Sequence, residues 1–153
     1  MRPRKHLIYG SLFAIACYFL FPVVGVYEAL IIWICSWFII DLDHAIRYSV
    51  KTGSLSPKGF WSWSEKRGRI WKKLSKNEKK KYSSPFFMFH GIEVLVALFL
   101  LSLRWDVFFW CFIGFLFHMI LDWVNLYVRG ENILSKVSLI YVLVNSKGKE
   151  RFE

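Results

Sequence analysis

From Leu7 to Ile40 the sequence runs for 34 residues with one charged side chain, Glu28. That is too long for a single bilayer crossing, which takes roughly 20 residues of helix. The run is interrupted at Phe21-Pro22-Val23-Val24-Gly25. Proline and glycine there favour a tight turn, so the run reads as a helical hairpin. Two more apolar stretches follow, Phe86–Leu103 and Val107–Tyr127, separated by the polar break Arg104-Trp105-Asp106. The expected class is all-α: a polytopic membrane protein forming a single domain with four transmembrane helices. Their expected bounds are 5–21, 27–48, 86–103 and 106–128, with a basic loop at 49–85 and a tail at 129–153. Composition agrees. The chain is 56% hydrophobic and carries 15 Phe, 8 Trp and 7 Tyr, more apolar surface than a soluble domain of 153 residues can bury.

The net charge of +10 lies between the apolar stretches. Arg2, Arg4 and Lys5 precede the first, twelve Lys/Arg fall between Arg47 and Lys81, and five between Arg129 and Arg151; only Arg104 is elsewhere. Four crossings put both termini on one side, and the positive-inside bias makes that side cytoplasmic, with the basic loop and the tail beside them. The expected location is therefore the cell membrane with cytoplasmic termini. A secretory signal would also place basic residues before an apolar run, but Ala14-Ile15-Ala16-Cys17 is a poor lipobox, so a retained first helix is expected. Cys17, Cys35 and Cys111 all lie in apolar runs and read as small packing residues rather than a disulfide framework.

Within the loop, Trp63, Ile70, Trp71 and Leu74 recur at i, i+7, i+8 and i+11 among Lys and Arg, the pattern of an amphipathic helix lying in the membrane interface. Such a helix either captures anionic lipid headgroups or a nucleotide, or is simply a solvated anchor; no nucleic-acid partner is expected. In the tail, Val137–Val144 is too short to span and is compatible with an interfacial helix or a short strand pair.

The four histidines, His6, His44, His90 and His118, all fall in or beside an expected membrane helix. Ionisable groups there are costly and are functional candidates by default. Asp41 and His44 are spaced i, i+3, His90 and Glu93 likewise, and His118 and Asp122 i, i+4, so each pair shares one helix face. Taken singly, His6 could snorkel, His44 could cap a helix and Asp122 could relay protons. Taken together, His6, Asp41, Asp43, His44, His90, Glu93, His118 and Asp122 form an imidazole and carboxylate set suited to zinc or a similar divalent metal. All approach the same bilayer face. His118 is the deepest, nine residues before Tyr127 and so roughly 14 Å from that helix end. The expected cofactor is two or three divalent ions, zinc or alternatively manganese.

Three stretches resemble the YdjM-like membrane-bound metal-dependent hydrolases: Lys5-His6-Leu7-Ile8-Tyr9-Gly10, Asp41-Leu42-Asp43-His44, and His118 with Asp122. Each is short, but they lie in the family's order over most of the chain. That family is thought to be related to zinc-dependent phospholipase C and the S1/P1 nucleases, all-helical phosphodiesterases with a trinuclear zinc site, so the resemblance implies a phosphoester hydrolase. Where the family often carries His-Arg-x-x-Thr-His-Ser, this chain has Phe89-His90-Gly91-Ile92-Glu93, one histidine fewer. The expected activity is hydrolysis of a phospholipid or lipid phosphate by a metal-activated water, with Asp43 or Glu93 as general base or orienting group. The alternatives are a divalent-cation transporter and a non-catalytic membrane protein with a structural metal. Oligomeric state is not legible.

Overall fold

The structure is a computed structural model that describes residues 3–83, 87–131, 133–146 and 149–151. The Leu7–Ile40 run does form a hairpin. Helix α1 spans Pro3–Leu20 and α2 spans Val26–Ile34. Between them Val24 N–H donates to the Phe21 carbonyl at 2.9 Å, and the Glu28 carboxylate accepts from Gly25 N–H at 2.9 Å, capping the start of α2. A polar crosslink ties the two helices in their apolar stretch: Trp33 Nε1–H donates to Ser11 Oγ at 2.9 Å.

Helix α2 does not stop at Ile34. It continues through a π turn, Cys35–Ile39, and after an offset at Ile40-Asp41 becomes α3, Leu42–Thr52. Gly53 ends this rod with φ +67°, a left-handed position that suits a residue without Cβ, and its N–H donates to the Ser49 carbonyl at 2.8 Å. Helix α4, Pro57–Lys73, starts with Ser56 as cap and proline in its first turn. A capping box of Ser75 and Glu78 starts α5, Lys76–Lys81. The rest is α6, Ile92–Ser102; α7, Asp106–Val128; α8, Leu134–Val137; and α9, Leu139–Asn145. Gly130, with φ +61°, turns the chain after α7. Tyr82–Ser83 (β1) pairs in parallel with Glu150–Arg151 (β2) for two residues, joining the loop to the tail, while the Val137–Val144 stretch is largely the helix α9 and not a strand pair.

Among the described residues two helices are long and apolar enough to cross a membrane, Val26–Thr52 and Asp106–Val128. At 27 and 23 residues they are about 40 and 35 Å long. Of the four expected spans, two thus have both the length and the apolar character of a crossing. Helix α1 has 18 residues, but its first turn holds Arg4, Lys5 and His6. The expected third span, 86–103, shrinks to the 11 residues of α6, about 16 Å. Its expected start at Phe86 lies outside the described residues. Residues 87–91 are instead a turn, closed by His90 N–H on the Phe87 carbonyl, with Gly91 extended as the helix cap. The expected loop 49–85 is largely helical.

Helix α7 is the hub, packed against α6, α2 and the π turn. At Gly114 it runs so close to the rod that an added Cβ would stand 2.7 Å from Cys35 Cβ and 2.8 Å from the Ile32 carbonyl oxygen. The core is small. Cys35, Ile40, Leu95, Phe115 and Met119 form one buried cluster and Ala14, Cys17, Val24 and Ile32 another. Large apolar side chains instead face outward, among them Leu12, Ile15, Phe19, Val96, Phe99 and Leu100.

Candidate metal centre

Four separate parts of the chain meet at one end of the helices. His6 comes from the first turn of α1. Asp41 stands at the offset in the rod, with Asp43 and His44 in the first turn of α3. His90 lies in the turn before α6, and His118 and Asp122 lie one turn apart on α7. His6, His90, His118 and Asp122 are all buried.

Hydrogen bonds on the outer side of the rings decide which nitrogens point inward. His118 Nδ1 lies 2.8 Å from the Ser36 carbonyl. A carbonyl only accepts, so Nδ1 carries the proton and Nε2 presents its lone pair to the centre. The acceptor lies in the π turn, where the widened ladder gives the backbone room to bond sideways. His90 Nδ1 lies 3.2 Å from Asp43 Oδ2, which sets the same tautomer there.

The inward atoms converge. His6 Nε2 is 3.3 Å from Asp122 Oδ1, and His90 Nε2 is 3.6 Å from Asp41 Oδ1 and 3.9 Å from Asp122 Oδ2. His118 Nε2 is 3.8 Å from Asp41 Oδ1 and 4.0 Å from Asp122 Oδ2. Tetrahedral ligands of zinc stand about 3.3 Å apart, given metal–ligand bonds near 2 Å. Most of these separations exceed hydrogen-bond length yet suit atoms sharing an ion. Among the described residues three overlapping triads could hold one: His6, His118 and Asp122; Asp41, His90 and His118; and Asp43, His44 and His90.

Three buried atoms of the site, His6 Nδ1, His118 Nε2 and Asp41 Oδ2, have no hydrogen-bond partner among the described residues. Leaving such atoms unmatched costs a few kcal/mol each, and neighbouring carboxylates in a nearly dry site call for positive charge. Imidazole nitrogen and carboxylate oxygen together suit zinc or manganese. The residues therefore fit a divalent metal, and buried His and Asp groups that could hold one are present. His118 and His90 each belong to two triads with one inward nitrogen.

Asp43 and His44 lie at the edge. Asp43 receives His44 Nδ1–H at 2.6 Å, His90 Nδ1–H at 3.2 Å and Phe89 N–H at 3.3 Å. Three donors on one carboxylate orient both rings. His44 stacks on Phe87 with centroids 3.9 Å apart. Its side chain is 22% exposed, whereas the His6, His90 and His118 side chains are at most 2% exposed.

Glu93 is elsewhere. Because the helix begins only at Ile92, His90 and Glu93 do not share a helical face, and the expected i, i+3 pair is not formed. The Glu93 carboxylate caps α9, accepting from Ser138 Oγ at 2.7 Å, Leu139 N–H at 3.1 Å and Ile140 N–H at 3.3 Å. Conversely, the Ser36 carbonyl belongs to the centre, and no side-chain pattern announces it.

Comparison of the chain with family models, with curated proteins and with solved structures finds no match.

Proposed function

We propose that this protein is a membrane-embedded, metal-dependent hydrolase of phosphoesters, acting on a phospholipid or lipid phosphate at the cytoplasmic face. The observation that carries the reading is the convergence of three imidazole Nε2 atoms and two aspartates, from four parts of the chain, on one buried centre. In this reading His6, Asp41, His90, His118 and Asp122 hold the metal. A bound divalent ion supplies a water of near-neutral pKa and polarises a phosphoryl oxygen. Asp43 keeps His90 and His44 in the tautomer whose Nε2 faces away from it, and the Ser36 carbonyl does the same for His118. The resemblance to the YdjM-like hydrolases points to the same chemistry.

The membrane reading, with α1, the α2–α3 rod, α6 and α7 all embedded, draws support from the two helices of spanning length and from the outward-facing apolar side chains. The basic helices beside the site favour a cytoplasmic orientation. Cation transport finds less support. At the other end the acidic residues are Glu28, half-buried and engaged with Gly25 N–H, and Asp106, exposed at the start of α7, and among the described residues they form no cluster like that around His118.

The test is metal analysis of the purified full-length protein, together with assays on phospholipid, lipid phosphate and nucleotide esters. Bound zinc or manganese, inactivation by chelator and recovery on adding metal are expected. His118→Ala should lower activity by at least about a hundredfold through loss of a ligand. Full activity in that variant would sink the proposal, and a metal-loaded protein that cleaves no phosphoester would favour a structural metal.

A further inference from the structure

Helix α4 divides into two faces. Lys58, Lys66, Arg69, Lys72 and Lys73 fall within about 120° of one another around the helix, with Glu65 the single acidic side chain among them, opposite Phe60, Trp63, Ile70 and Trp71. All five cations are exposed, and among the described residues none of them makes an ion pair. The aromatic side is largely used by the protein itself. Phe60 and Trp63 pack on Tyr48 of α3 with ring centroids 5.9 and 5.7 Å apart, and Trp71 Nε1–H donates to Glu131 at 3.2 Å. Glu131 also pairs with Lys79 of α5 at 3.1 Å. At its other end Arg4 lies over the Trp61 ring, 5.7 Å from its centroid.

This arrangement differs from a helix that floats with its apolar side in lipid. The aromatic side anchors α4 to α3 and to Glu131 just beyond α7, and Trp61, at the border of the two faces, meets α1, close in sequence to His6 and His44, while the cationic side is left to meet something else. We infer that this face binds the phosphates of anionic lipid headgroups and enriches such lipids around the mouth of the metal centre. Charge complementarity selects the occupant. A fixed row of unpaired Lys and Arg, held at the end of helices with apolar outer surfaces, is matched by the anionic surface of a bilayer. The inference rests on the membrane reading but is independent of any hydrolytic activity.

Gly68 has open space where a Cβ would stand, so Gly68→Cys provides a labelling point on α4. The full-length variant is labelled with a fluorophore and reconstituted in phosphatidylcholine vesicles containing nitroxide-labelled phosphatidylglycerol, or the same fraction of nitroxide-labelled phosphatidylcholine. At low salt the anionic lipid should quench about three- to fivefold more effectively, and high salt should reduce the difference. K58Q/K66Q/R69Q/K72Q/K73Q should equalise the two lipids, and K72Q/K73Q alone should lower the preference in part, which covers the case in which the fivefold variant fails to fold. Equal quenching by the two lipids in the parent protein would overturn the inference, as would a preference unchanged in both variants. Capture of an RNA oligomer without any lipid preference would also overturn it. Failure to reconstitute would count against the membrane reading, whereas loss of phosphoesterase activity alone would leave this result untouched.

Discussion

Asp43 shows how one side chain can govern a site it does not centre. Its two oxygens receive both His44 and His90, so the direction of each ring depends on it. Asp43→Asn keeps the shape but offers only one acceptor oxygen and adds donors where donors already point. Metal affinity is expected to fall by about 10- to 100-fold, the usual cost of removing an outer partner of a metal-bound histidine. Titration of the chelated protein with zinc, read by a competing metallochromic dye, checks this; unchanged affinity would mean that Asp43 does not orient the rings. The spacing of His118 with Asp122 and of Asp41 with His44 made these pairs legible in the sequence, because each stays within one helical turn. Glu93 was misread for the opposite reason. Its partner is the start of α9, 45 residues away, and no local pattern encodes that contact.

Among the elements, the decisive contact is that between α7 and the π turn. Gly114 brings the two backbones close enough for His118 to reach the Ser36 carbonyl one turn further along α7. Gly114→Val should force them apart, costing about 1–3 kcal/mol as overpacking does and loosening His118 as well. Thermal unfolding in detergent should show a lower Tm, and metal affinity should fall with it, although no ligand is altered. An unchanged Tm would show that the helices have room there. The helical hairpin and the bounds of α7 were readable from hydropathy and turn residues. The π turn was not, since Cys35–Ile39 carries no proline, glycine or charge to mark a break in an apolar run. The short α6 was missed because Gly91 reads as tolerable within an apolar run, whereas here it caps the helix.

At the scale of the molecule, charge and ligands share one end. Arg4 and Lys5, the basic faces of α4 and α5, and Arg129 all belong to the end where His6, Asp41, His90 and Asp122 meet. Orientation in a bilayer is thereby testable with two cysteines, one at Gly68 and one at Arg104, the lone cation between α6 and α7. A membrane-impermeant maleimide applied to intact cells should label Arg104→Cys and spare Gly68→Cys, with both labelled once the membrane is opened. Equal labelling from outside would refute the cytoplasmic orientation.

The order of the ligands along the chain also bears on biosynthesis. His6 lies in the first turn of α1, whereas His118 and Asp122 lie in the second half of α7, more than a hundred residues later in the chain. Until α7 has been made, His6, Asp41 and His90 have neither His118 nor Asp122 beside them. In the reading proposed above, a chain without a docked α7 lacks part of the ligand set, so metal retention would distinguish molecules with α7 in place from those without it.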